Sequence, residues 1–254
     1  MRALNWEFSN RAWLFGVIFG VSFPLYALDP VNATAAVANW AAARWGVDAE
    51  GLARALFSAA ALVMIAAALV RTWASAYLHA GVVYADQVKT DALIADGPYR
   101  HVRNPLYFGN VLMAIAMGAM MSRPGFVVCV ALMTLFSYRL IFREEAELRA
   151  SRPEQYHAYA ANVPRLWPAF APRVRPAGRT ARWSDGFKAE AWRWCMAAAL
   201  IAFAATLNQR LFFALLAASI ALLFVSATLL SRRRPSWTAN WNSPMSRSRC
   251  ASLD

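Results

Sequence analysis

The chain is cut into long apolar runs that no soluble fold of this size needs. Six read as candidate membrane-spanning helices: Ala12–Leu28, Ala53–Val70, Leu106–Met121, Gly125–Phe142, Trp192–Leu207 and Leu211–Leu230. A spanning helix needs roughly 20 mostly apolar residues, with a range of about 17–25. The second and sixth runs meet this with ease, the first carries Pro24, and the third and fifth are short. Composition agrees, because 59% of the residues are hydrophobic and only 16% charged. Soluble domains hold about 45–50% apolar and about 25% charged residues. The expected fold is therefore all-α: a polytopic helical membrane protein of about six transmembrane helices. Ser122–Arg123–Pro124 is read as a tight turn joining the third and fourth runs.

The formal net charge of +12 is explained by topology. Positive residues stay on the cytoplasmic side of a membrane protein. With both termini inside, the outer side holds only Arg44, Arg54, Arg123 and Arg210 of the 26 Lys and Arg. No nucleic-acid partner is needed to account for the charge. No cleavable signal peptide stands out, and the first run reads as a retained helix. Cys129, Cys195 and Cys250 are dispersed and form no CxxC pair, so neither a metal cluster nor a disulfide framework is expected.

Five segments follow. Residues 1–80 form an N-terminal transmembrane pair whose outside loop contains Asp29, Pro30, Asp48 and Glu50. Residues 81–170 hold a polar stretch, a helical hairpin and a charged extension. Residues 171–191 form a basic connector, 192–231 a second transmembrane hairpin, and 232–254 a disordered basic tail opening on Arg232–Arg233–Arg234–Pro235. The fourth helix is expected to outrun its apolar part into "REEAELRAS", with Arg143 and Glu147 paired across one turn.

Residues 97–110, "GPYRHVRNPLYFGN", break the apolar pattern just before the third run. Asn104 precedes Pro105, which disfavours helical geometry at Asn104 and opens the helix after it. The tight hairpin then brings this stretch beside Glu144, Glu145 and the segment ending in Val163–Pro164–Arg165. Two polar clusters meet at one membrane face.

Together, "GPYRHVRNPLYFGN" and "REEAEL......Y..Y...VPR" resemble the integral-membrane methyltransferases, which include isoprenylcysteine carboxyl methyltransferase and the phospholipid N-methyltransferases. The resemblance covers about residues 60–170 and rests on Gly97, Tyr99, Arg103, Asn104, Pro105, Tyr107, Gly109, Glu144, Glu145, Tyr156, Tyr159, Val163, Pro164 and Arg165. Asn104 stands where the family usually has histidine. An amide still donates and accepts but carries no charge; His101 is the nearest substitute.

The resemblance implies S-adenosyl-L-methionine as cofactor, bound on the cytoplasmic side through Tyr99, Arg103, Asn104, Pro105, Tyr107, Gly109 and Glu145. It implies catalytic roles for Arg139 and Glu144. In an ideal helix those two project about 140° apart, so one pocket for both needs a long reach or a kink. Arginine suits the cofactor's carboxylate, and tyrosine faces suit adenine or a sulfonium. No GxGxxG exists, so a nucleotide-like cofactor has to sit in a helical site. The implied acceptor is lipophilic: an isoprenylcysteine-like carboxylate, a phospholipid amine or another lipid-soluble molecule. The expected partners are the bilayer and that substrate. The last two spans either pair two copies into a homodimer or close the substrate tunnel. The implied location is an integral membrane site with a cytoplasmic-facing active site, which in a bacterial source means the plasma or inner membrane.

Two other readings compete. One is an NADPH-dependent reductase of the sterol-reductase type, which shares an Arg-x-Pro-x-Tyr-x-Gly-like segment. The other is a non-enzymatic small transporter or assembly protein, in which Arg139 reaches for headgroups, Glu144 and Glu145 form a solvated helix face, and Tyr156, Tyr159 and Trp167 anchor the interface.

Overall fold

The computed structural model describes residues 2–78 and 95–232, with side chains to residue 225. The expectations for the tail beyond Arg232 and for residues 79–94, where the first and second segments join, lie outside these residues. The described residues form nine α-helices and no strand. They are α1 (Asn5–Ser9), α2 (Arg11–Ser22), α3 (Ala33–Trp45), α4 (Ala49–Leu78), α5 (Pro105–Gly118), α6 (Arg123–Ser151), α7 (Pro153–Asn162), α8 (Trp183–Thr206) and α9 (Gln209–Arg232). Short 3-10 turns at Phe23–Ala27 and Gly97–Arg100 extend α2 and precede α5.

Local chemistry sets the ends. Pro105 opens α5, where its missing N–H costs nothing. Ser122 caps α6 by accepting from the Gly125 N–H at 3.3 Å, with Pro124 in the first turn. Asn32 caps α3 through the Ala35 N–H at 2.9 Å, and Gly46 ends it in the left-handed region at φ 68°. Helix α6 runs unbroken from the hairpin to Ser151, and Arg143 pairs with Glu147 at 2.9 Å as the spacing predicts.

Helix α4 is the central post, packed by α8 on one side and α5 on another. Its buried face is Ala60, Ala61, Met64, Ala67 and Ala68, small enough for neighbouring backbones to come close. At Gly186 of α8, a Cβ would stand 2.6 Å from the Thr72 carbonyl oxygen, so α4 and α8 touch backbone to backbone there. Phe57 and Phe203 stack edge to face in the same core at 4.8 Å. A second core under α1 and α2 gathers Phe8 and Ile18 against Cys129, Met133 and Leu140 of α6.

Among the described residues, two helices are long and apolar enough to cross a membrane, Ala49–Leu78 and Arg123–Ser151, with mean hydropathies of 2.1 and 2.0. The segments at 11–27 and 105–118 are apolar but shorter, as is 209–225, the part of α9 whose side chains are described. The expectation of six full spans is therefore met by two helices on length and composition. The fifth run differs most, because α8 starts at Trp183 and brings Lys188, Glu190 and Arg193 into the helix. The N-terminal outside loop also departs from expectation, since it contains α3. That helix buries Thr34, Ala38 and Ala41 while exposing Trp40 and Trp45. Its alanine content favours helix, and its 13 residues are too few to span. The predicted hairpin turn at 122–124 is present, with Arg123 paired to Asp29 at 2.6 Å.

Candidate functional site

The polar stretch is held in place by the segment that follows α7. Arg103 N–H donates to the Pro164 carbonyl at 2.9 Å, Ala169 N–H to the His101 carbonyl at 2.9 Å, and Arg173 N–H to the Arg100 carbonyl at 2.9 Å. Asp96 is buried and accepts three backbone N–H groups, from Ala177, Gly178 and Arg179, at 2.8 to 3.2 Å. Gly97 takes φ 54°, and a Cβ there would strike the Tyr77 ring at 2.2 Å. Only glycine makes this turn.

Asn104 belongs to the same lacing. Its side-chain amide donates to the Arg165 carbonyl at 2.9 Å. A neutral amide does this without a charge, so the departure from histidine is compatible with a formed site. His101 bonds the Ala169 carbonyl through Nδ1 at 2.9 Å and lies outside the cavity wall, so it does not replace the missing histidine there.

A cavity of about 920 Å³ opens above this floor. Tyr99, Arg103, Asn104, Pro105, Tyr107, Glu144 and Glu145 all line its polar end. Seven of the nine sequence-derived residues are thus brought together by the α5–α6 hairpin. Tyr107 donates its hydroxyl to Glu144 Oε1 at 2.6 Å. Glu145, one residue on, is buried in the same wall but engaged by arginines. It takes Arg103 at 3.1 Å, Arg149 at 3.0 Å and Arg165 at 3.1 Å. A carboxylate shared by three guanidinium groups organises them and has little left for a ligand, so Glu145 is a hub for the arginines. The Glu145 hydrogen bonds hold the Arg165 guanidinium pKa above its ordinary value.

Tyr159 donates to the Tyr99 carbonyl at 2.7 Å, and Arg103 donates to Tyr156 Oη at 3.2 Å. Burial pushes all three phenols, Tyr99, Tyr156 and Tyr159, above their ordinary pKa, so they remain neutral donors through the physiological range.

Two expected residues are not brought in. Arg139 points to the opposite side of α6 and pairs with Glu7 at 2.7 Å, outside the cavity wall. Helical phase explains it, since α6 runs unbroken through both residues and five residues rotate the side chain about 140° from Glu144. Gly109 also has a different role. A Cβ there would meet Arg71 Cγ at 2.4 Å, so its smallness admits the Arg71 side chain.

Arg71 was missed by the sequence reading. It lies on α4, one residue past the expected end of the second run. It donates to Glu190 at 2.9 and 3.2 Å, to the Leu106 carbonyl at 2.7 Å and to Asn110 Oδ1 at 2.8 Å. Ser75 at 2.8 Å and Arg193 also donate to Glu190, whose side chain is fully buried. Arg71, Asn110 and Arg193 reach the cavity between its polar and apolar ends. The available signal was charge inside an apolar helix, which is costly and so marks a partner. That partner, Glu190, is 119 residues away in sequence.

Apart from Arg11 of α2, the remaining walls are apolar, from α2, α5, α8 and α9. Among the described residues, no three His, Cys, Asp or Glu side chains gather where they would hold a metal ion.

The chain is similar to two curated proteins. The cobalt-zinc-cadmium resistance protein CzcN of Cupriavidus metallidurans is 29% identical over 131 residues, 52% of this chain and 55% of its own length. The nickel-cobalt-cadmium resistance protein NccN of Alcaligenes xylosoxydans xylosoxydans is 28% identical over 127 residues, 50% of this chain and 54% of its own length. The chain thus spans about half the length of these relatives. No solved structure matches it significantly. Residues 55–151, from α4 to the end of α6, match the phospholipid methyltransferase family model, a match consistent over that segment with an integral-membrane methyltransferase-like family.

Proposed function

We propose that the protein is a membrane methyltransferase that takes S-adenosyl-L-methionine at the polar end of the cavity and a lipophilic acceptor at the apolar end. The observation that carries this reading is the continuity of one cavity from the Tyr107–Glu144 pair to walls of phenylalanine, methionine and leucine. A cofactor from water and an acceptor from lipid have to meet in a space of that kind. The family match over residues 55–151 supports the reaction class.

The residues present fit the cofactor. Tyr99 Oη and Arg103 Nε are buried polar atoms without a partner among the described residues. Such atoms are costly unless a ligand satisfies them. Glu144 keeps its second oxygen for an ammonium or hydroxyl, while Arg103 and Tyr99 suit a carboxylate or ring nitrogen. When bound, the cofactor supplies an activated methyl group. The protein then needs no nucleophile, and its work is alignment and exclusion of water. Tyr107 holds Glu144 in one orientation. Glu145 holds Arg103 and Arg165 in theirs. The two long helices and the apolar cavity walls support a membrane location, with the 97–104 turn facing the cytoplasm by the positive-inside rule.

Binding of labelled S-adenosyl-L-methionine to the detergent-purified protein tests the reading, with NADPH as unlabelled competitor. Saturable binding that ignores NADPH and weakens in Glu144→Gln is the expected result. Displacement by NADPH puts the reductase reading first. Absence of binding by folded protein favours a non-enzymatic role, which the metal-resistance names of the relatives keep in view.

A further inference from the structure

The apolar end of the cavity has two facing walls. On α2, Ala12, Gly16 and Gly20 recur every four residues on one face and line it. A Cβ built at Gly16 or Gly20 meets nothing within 4 Å. These glycines are therefore not there to admit a neighbouring helix; they border open space. On α9, Leu216, Ile220 and Phe224 form the opposing stripe at the same spacing. Met113 and Met117 of α5 make the floor. Methionine is flexible and polarizable and fits irregular apolar guests. Trp13 and Phe224 approach to 5.8 Å at the end nearest the start of α2. From Ala12 to Phe23 the groove runs about 16 Å, at 1.5 Å per residue, the length of an extended alkyl chain.

A second observation stands at the head of this groove. Trp192 lines the cavity, and its buried Nε1–H has no acceptor among the described residues. Beside it, the Arg193 guanidinium lies 4.0 Å over the Trp192 ring, and Arg71 stands in the same wall. Donors dominate this boundary between polar and apolar surface. An oxygen-bearing head, carboxylate or phosphate, suits them.

We infer that the groove between α2 and α9 is the chain-binding subsite, that Gly16 and Gly20 set the length of apolar chain it accepts, and that Trp192 with the adjoining arginines receives the acceptor's oxygen-bearing head. This rests on the proposed reaction only in calling the guest an acceptor. It gives the C-terminal hairpin, which lies outside the segment matched to the family, a job in substrate choice. Leucine at position 16 or 20 projects into space that is already open, so both variants are expected to fold.

The test is displacement of dansylaminoundecanoic acid from the full chain in a non-ionic detergent, with labelled S-adenosyl-L-methionine binding measured in parallel. The wild type should prefer hexadecanoate over octanoate by about tenfold or more. Gly20→Leu should remove that preference while keeping octanoate binding, because it fills the far end. Gly16→Leu should weaken dodecanoate as well. Leu216→Trp, from the opposite wall, should copy Gly20→Leu. An unchanged chain-length profile in all three variants would overturn the subsite. For the head, dodecyl phosphate and dodecanoate should compete and dodecylamine should not, and Trp192→Phe should weaken the first two. Whichever of the first two competes better identifies the head. Equal competition by the amine would overturn the head assignment. Failure of cofactor binding with the length profile intact would sink the proposed reaction and leave the groove standing.

Discussion

Tyr107 of α5 and Glu144 of α6 are 37 positions apart and share a 2.6 Å hydrogen bond across the mouth of the cavity. The bond fixes the carboxylate that the proposed cofactor would meet. Tyr107→Phe removes only the hydroxyl. A hydrogen bond to a charged group contributes about 1.5–3 kcal/mol to the folded protein, so the melting temperature should fall, and cofactor binding should weaken by roughly tenfold as Glu144 loses its fixed orientation. Isothermal titration on both proteins would read this. Wild-type affinity in Tyr107→Phe would show that the pair does not position Glu144 for ligand.

Arg71 and Glu190 join the family-matched segment to the C-terminal hairpin inside the bundle. Removing one partner of a buried ion pair leaves an uncompensated charge and costs about 3–5 kcal/mol. Glu190→Ala should therefore lower the melting temperature in detergent sharply. Replacing Arg71 by Met and Glu190 by Leu together should cost less than the sum of the single changes. Additive losses would mean that the two residues act separately.

Arg139 with Glu7 ties α1 to the outside of α6. The Arg139 hydrogen bond holds the Glu7 carboxyl below its ordinary pKa of 4.5. The linkage sign follows. A lowered folded-state value adds stability above the unfolded pKa, and that stability fades as pH falls through the folded value. Arg139→Ala should leave cofactor binding unchanged at neutral pH. It should also flatten the acid limb of the stability profile below about pH 4.5. A half-buried pair at the protein surface contributes on the order of 1 kcal/mol, so the neutral melting temperature should move little. Lost cofactor affinity in Arg139→Ala would return this residue to the site.

Asn104 is a donor to the Arg165 carbonyl. Asn104→Asp keeps the size but turns the donor into an acceptor facing an acceptor. The 163–179 segment should then detach more readily, at a cost of about 1–3 kcal/mol, and limited proteolysis should cut there sooner than in wild type. Asn104→Gln or Asn104→His, which keep a donor, should be milder. Equal protease resistance in all variants would contradict the lacing role.

Much of the site was local and therefore legible in sequence. Pro105 and Asn104 mark a helix start by backbone sterics. The 122–124 turn forces α5 and α6 antiparallel, so Tyr107 and Glu144 must meet near the same end. Helical phase alone separates Arg139 from Glu144, and the structure keeps them apart. The length of α6 and the Arg143–Glu147 pair followed from periodicity as well.

Tertiary structure decided what distance along the chain hides. Nothing near Arg71 indicates that Glu190 will neutralise it, or that Gly109 is small to let its side chain pass. Glu145 looks like Glu144 in sequence, yet 100° of helix rotation turns it toward three arginines. Alanines make α3 helical, but its place against the bundle depends on Thr34 and Asn32 finding the Ala119 carbonyl at 2.9 and 3.1 Å. Gly16 and Gly20 read as ordinary membrane-helix glycines until α9 stands opposite them across an open groove. Backbone sterics and helical phase act within a few residues and can be read from the chain. Burial of a charge, and the shape of the space between helices, exist only once distant segments have packed.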